Sequence, residues 1–118
     1  MARAYIVTPE GAVTEGTVTD LKSMQTVVGG DIEYVGLPGG ALYCNENGIA
    51  KGLSPNPVAT SYAAARLAEV GREFYSRPGT APTLLGTVFF AGPAGEDGDH
   101  RDCPEAVKAE LIKVGGTV

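Results

Sequence analysis

Seventeen glycines and eight prolines are spread along 118 residues, and each marks a place where regular structure bends or stops. The segments between them are short, so the chain is restricted to brief strands and helices joined by many turns. At this length it can hide roughly two-thirds of its unfolded surface in one core, and a single domain is expected over residues 1–118. Hydrophobic residues make up 43% and charged residues 19%, which is enough apolar surface to offset the entropy of ordering.

Arg3 to Thr8 is β-prone and runs into Thr8-Pro9-Glu10-Gly11, which fits a type I turn. Ala12 to Val18 is weaker, interrupted by Glu15 and Gly16, and reads as an edge strand or extended loop. Asp20 precedes Leu21, Met24, Val27 and Val28 at helical spacing, with Gly29-Gly30 as the stop. Alternation returns from Asp31 to Leu37, with Ile32 and Tyr34 on one face, and again from Leu42 to Cys44 after the Pro38-Gly39-Gly40 break. Asn47-Gly48 is a strong signal for a type I′ turn, so a β-hairpin is expected over Ala41 to Leu53, with Gly29 and Gly48 at positive φ. Asn56 is placed to cap a helix beginning at Pro57 and carrying Ala59, Ala63, Leu67, Val70 and Phe74, which Gly71 ends or bends. Arg77 to Pro82 reads as a linker, and Leu84 to Ala91, the most apolar run, as a central strand. An acidic surface loop at 93–102 precedes a last helix at 103–114, with Asp102 and Glu105 at its start and Val107, Leu111 and Val114 on one face. The expected fold is α+β: a small, mainly antiparallel sheet of four or five strands with two or three packed helices.

Nine Lys and Arg stand against fourteen Asp and Glu with no basic run, so direct nucleic-acid binding is disfavoured. Mimicry of DNA would need dense negative charge on one face, whereas Lys and Arg are interspersed here. Tyr5 to Val7 is too brief for a signal-peptide core or a membrane span, and a cytoplasmic protein is expected. Cys44 and Cys103 form no Cys-x-x-Cys pair and are expected as free thiols. The only histidine, His100, sits among Glu96, Asp97, Asp99 and Asp102, but their spacing matches no metal loop, so neither a metal nor another cofactor is expected. A serine triad would lack its Gly-x-Ser-x-Gly elbow, and Cys44 reads as a small hydrophobe rather than the partner of His100 in a catalytic dyad. Gly36 to Gly40 lies between β-prone segments and reads as a turn, not a phosphate cradle.

Four short motifs occur in order: Leu21-x-x-Met24-Gln25-x-x-Val28-Gly29-Gly30-x-Ile32-Glu33, Asn45-Glu46-Asn47-Gly48, Asn56-x-x-Ala59-Thr60 and Gly86-Thr87-Val88. In this the chain resembles the DUF3846 family of small proteins, over roughly Tyr5 to Gly92. The resemblance implies a setting in bacteriophages, mobile elements and some bacteria, and no assigned reaction. Turns and helix ends account for the glycines of these motifs. They leave Gln25, Glu33, Asn45, Glu46 and Thr60 unexplained, and these together with the cap residue Asn56 are candidate binding residues, expected either to converge on an exposed face or to bond locally to backbone. A non-enzymatic accessory protein that binds a host or phage macromolecule is the leading expectation. A small-ligand binder, for instance of a nucleotide signal, is the second, and an enzyme using Glu33 or Glu46 the third. A homo-oligomer is compatible with all three.

Overall fold

The computed structural model describes residues 2–71 and 83–118. Among them are five strands, β1 (Ala2–Val7), β2 (Val13–Val18), β3 (Ile32–Leu37), β4 (Gly40–Asn45) and β5 (Val88–Ala91), and three helices, α1 (Leu21–Val28), α2 (Pro57–Ala68) and α3 (Glu105–Lys113). The strands form one antiparallel sheet in the order β2-β1-β5-β4-β3, an α+β architecture. The apolar run becomes the central strand as expected, although only Val88–Ala91 of it pairs with both β1 and β4. All four of its residues are buried, as a strand covered on both faces requires.

Strand alternation divides the core in two. Tyr5, Val7, Leu42, Cys44, Val88 and Phe90 face α2 and α3, packing on Val58, Ala59, Tyr62, Ala63 and Leu111. Ala4, Ala41, Tyr43, Phe89 and Ala91 face α1, packing on Val28, Met24 and Val27. Ile32 and Tyr34 share that second face, Ile32 within the cluster and Tyr34 edge-on to Tyr43. Gly16 does not interrupt β2, because the missing side chain leaves room for Ile6 across the strand pair.

The helix ends follow the sequence closely. Asp20 accepts the Ser23 amide at 2.9 Å while Ser23 Oγ accepts the Asp20 amide at 3.1 Å, a complete capping box, and Gly29 closes α1 at φ 78°. Asn56 caps α2 with Pro57 in its first turn, and Gly71 follows its end at φ 69°. Phe74 and the linker expected at 77–82 lie outside the described residues. Asp102 does not cap α3. It accepts the Arg3 amide at 2.8 Å, and Pro104 occupies the cap position without a side-chain bond. Arg3 also donates to the Cys103 carbonyl through Nε and Nη2, at 3.0 and 2.9 Å, pinning the entry of α3 to β1. Leu111 is buried and Val107 half-buried, but Val114 is exposed, so the apolar face of α3 is shorter than its spacing suggests.

The expected hairpin over Ala41 to Leu53 is not present. The hairpin is β3–β4, closed by Pro38-Gly39 between Leu37 and Gly40. Gly39 has φ 76°, and proline followed by a positive-φ glycine is the pattern of a type II turn. Gly48 is not at positive φ. Asn45 Oδ1 accepts the Asn47 amide at 2.8 Å, and the Lys51 and Leu53 amides then donate to the Asn47 and Gly48 carbonyls at 2.9 and 3.0 Å. The chain therefore coils through successive turns instead of reversing as a strand, and Ile49 is left 59% exposed with no sheet face to join. The side chain of Asn45 outcompetes the intrinsic preference of Asn-Gly because it takes the amide that would begin the reversal.

No atom lies within 4 Å of the position a Cβ would take at Gly39, so substitution there carries only a conformational cost. Gly39→Ala is expected to destabilise by about 1 kcal/mol and Gly39→Asn by less, because asparagine tolerates this region. Denaturant midpoints check this, and an unchanged midpoint for Gly39→Ala would contradict the placement of the turn.

Candidate functional site

The strand register gives the sheet two distinct ends. Val7, Val13, Ile32, Asn45 and Val88 lie at one, and Ala2, Val18, Leu37, Gly40 and Ala91 at the other. All six sequence candidates belong to the first end, but they are divided between the two faces. On the α1 face, Asn45 is buried and its Nδ2 donates to the Val28 carbonyl at 3.1 Å. Gln25 Nε2 donates to Asp31 at 3.2 Å. Lys51 Nζ adds a bond to the Gly29 carbonyl at 3.1 Å, so side chains at and beyond the end of β4 satisfy two of the carbonyls at the end of α1. Glu46 is exposed beside this group, with its amide donating to the Asp31 carbonyl.

On the opposite face, Asn56 is 0% exposed. Its Oδ1 accepts the Ala59 amide at 3.1 Å, and its Nδ2 donates to the Val7 and Gly86 carbonyls, each at 2.9 Å. Thr60 Oγ1 donates to the Asn56 carbonyl at 2.8 Å and accepts the Leu84 amide at 2.9 Å. Glu33 is exposed on β3. The side chains of Asn45, Asn56 and Thr60 are thus engaged with backbone, partly across elements far apart in sequence.

Two clefts lie at the other end. One cleft, of about 140 Å3, is bounded by Pro38, Tyr62, Arg66, Phe90, Val107 and Glu110, between the hairpin turn, α2 and α3. Arg66 spans its rim, donating to the Pro38 carbonyl at 2.8 Å and pairing with Glu69 at 3.0 Å. The second cleft, of about 200 Å3, lies between the start of α1 and the acidic loop and is lined by Asp20, Leu21, Met24, Tyr43, Asp99 and His100, among others.

The acidic loop is more ordered than a solvated loop. Ala94 and His100 form a β-bridge, and the Gly95 and Arg101 amides donate to the Asp99 and Pro93 carbonyls at 2.7 and 2.8 Å. The Asp99 backbone N–H holds the Asp97 carboxyl below the usual range, with Arg101 adding to the effect. This geometry turns His100 onto the sheet. Its Nδ1 lies 2.6 Å from the Gly92 carbonyl and its Nε2 lies 2.7 Å from the Tyr43 hydroxyl. A carbonyl can only accept, so Nδ1 carries the proton, and in the neutral ring Nε2 accepts the Tyr43 O–H. Burial raises the Tyr43 hydroxyl above its ordinary value, with neighbouring Tyr34 adding to the effect. Tyr43 also stacks on Phe89 at 5.0 Å, which fixes the phenol in place.

Sequence reasoning weighed His100 as a metal ligand and as a member of a serine triad or a Cys44 dyad, and did not single out Tyr43. The two are 57 residues apart, and Tyr43 reads in sequence as one more apolar strand position. Cys44 and Cys103 are free and buried. Burial pushes the Cys44 thiol up to about 12 and the Cys103 thiol up to about 11, so both behave as core hydrophobes. Among the described residues no three His, Cys, Asp or Glu side chains come together as a metal ligand set, and no helix is long and apolar enough to cross a membrane.

The fold is that of a small α+β domain with a five-stranded antiparallel sheet between helices. The profile of the family described as a domain of unknown function, DUF3846, matches residues 1–114, and the chain belongs to that family. The match takes in the acidic loop and α3, beyond the Tyr5 to Gly92 span of the sequence motifs. Neither the curated proteins nor the solved structures contain a match to the chain.

Removing the Asn56 carboxamide deprives α2 of its cap and leaves two buried carbonyls without a donor. Asn56→Ala is therefore expected to destabilise by about 3 kcal/mol. Asn56→Asp keeps a good cap but faces a carboxylate with the Val7 and Gly86 carbonyls, and is expected to cost at least as much. Equilibrium denaturation checks both, and a near-neutral Asn56→Asp would show that the cap alone matters.

Proposed function

We propose that this protein is a non-enzymatic accessory protein that works by binding a partner protein on the open part of its α1 face. The observation that carries this reading is the cleft of about 200 Å3 with exposed Leu21 in its lining and exposed Tyr34 against the ring of the lining residue Tyr43. Leu21, on its rim, is 56% exposed, and Tyr34, whose ring meets that of Tyr43 at 5.5 Å, is 60% exposed. Isolated exposed hydrophobes are ordinary, but large side chains around a recess with a rigid aromatic floor suit an anchor from a partner. The phage and mobile-element setting implied by the family resemblance makes a host or phage protein in the cytoplasm the natural partner.

The small-ligand reading has less support. Both clefts fall below the ~300 Å3 at which pockets begin to enclose a drug-sized ligand, so a nucleotide would stand mostly in solvent. An enzyme acting through Glu33 or Glu46 also gains little, since both are exposed at the end of the sheet away from the clefts.

The test is capture from host and phage lysates by the immobilised protein, alongside a Leu21→Ser/Tyr34→Ser variant. A defined protein retained by the parent and lost by the variant, at equal thermal stability, supports the reading. Equal retention by both would contradict it.

A further inference from the structure

We propose that the cleft between α1 and the acidic loop is a subsite for one cationic side chain, a lysine or arginine presented by the partner protein. This rests on the docking reading above and deepens it. The first argument is the hydrogen-bond inventory. The N–H of His100 is used by the Gly92 carbonyl and the O–H of Tyr43 by His100 Nε2, so the pair spends both of its donors internally. What Tyr43 retains is lone-pair capacity on its oxygen. A ligand group resting on that floor has to donate.

The second argument is charge. Asp20 and Asp99 line the cleft and are exposed, and among the described residues no lysine or arginine lines it. Of the cations that neighbour lining residues in sequence, Arg101 is turned toward Asp97 at 3.5 Å and lies over Gly95, Arg3 donates to the Cys103 carbonyl, and Lys22 is not part of the lining. The start of α1 adds a positive partial charge of about one half, but the Asp20 carboxylate caps that end through the Ser23 amide. Two full negative charges therefore dominate. A formal net charge of −5 over the chain would also draw a basic partner by long-range attraction.

Size gives the third argument. A recess of about 200 Å3 accommodates a single long side chain, and Met24, Leu21 and Val18 along its wall suit an aliphatic stem. Anionic partners such as a nucleic-acid phosphate would meet two carboxylates and no cation among the lining residues, and are disfavoured by the same geometry.

The test is titration of the isotope-labelled protein with acetyl-Gly-Lys-Gly-amide and acetyl-Gly-Arg-Gly-amide, with the norleucine tripeptide and putrescine as separate arms. Saturable chemical-shift changes are expected at Leu21, Tyr43, Asp99 and His100 with both basic peptides and not with norleucine. The Asp20→Asn/Asp99→Asn variant should weaken them by about tenfold or more, while its thermal midpoint stays unchanged because asparagine also caps a helix. Equal shifts from norleucine, undiminished binding by the variant, or no saturable shift would overturn the proposal. Binding of putrescine without either peptide would overturn the assignment to a partner's side chain. The titration needs no partner, so it succeeds or fails independently of the capture experiment, and the two failures are distinguishable.

Discussion

The carboxamide of Asn56 ties together three parts of the chain: the start of α2, the end of β1 at Val7 and the approach to β5 at Gly86. A buried amide of this kind contributes only when all its partners are in place, because each unpaired group in the interior costs more than a made bond returns. The Asn56 backbone N–H donates to the Leu84 carbonyl at 2.8 Å, and Thr60 Oγ1 accepts the Leu84 backbone N–H in return. The central strand thus enters the sheet from a fixed point beside the first turn of α2. Packing of Val58, Ala59 and Tyr62 on Val88 and Phe90 follows from that anchor.

Asn45 performs the corresponding task on the other face, tying the end of β4 to the end of α1. Polar side chains consequently close one end of the sheet on both of its faces. The other end is held differently, by Arg3 on Cys103, by His100 on Tyr43 and by Arg66 on the hairpin turn. Those ties run between loops and elements and leave recesses beside them. A fold with one rigid, internally satisfied end can present variable or adaptable contacts at the other without loss of register.

Both ends of α1 and the start of α2 were legible because their signals are local, whereas Asp102 at the expected start of the last helix is drawn off to the distant Arg3 amide. Asp20, Gly29, Asn56 and Pro57 each act within one turn of where they stand in sequence. The hairpin was misplaced because Asn47-Gly48 carries a stronger local turn signal than Pro38-Gly39, and the side chain of Asn45 that overrides it becomes decisive only once β4 packs on α1. Gln25, Glu33, Asn45, Glu46 and Thr60 were recognisable as positions that turn geometry does not require, and Asn56 as a helix cap. What sequence could not supply is the direction of each carboxamide, since Asn56 reaches carbonyls 49 and 30 residues away. The pairing of Tyr43 with His100 was hidden for the same reason: it depends on the bridge between Ala94 and His100 that folds the acidic loop back on the sheet.

The central claim is that the carboxamides of Asn45 and Asn56 are structural ties. It is tested most directly by hydrogen exchange of the Asn56 side-chain amide in the folded protein. The account predicts two resolved Nδ2 protons that exchange only at the rate of global unfolding, as the most protected backbone amides do. Exchange on the timescale of a free carboxamide, with the fold intact, would show that Asn56 is open to solvent and available to a ligand, and would contradict it.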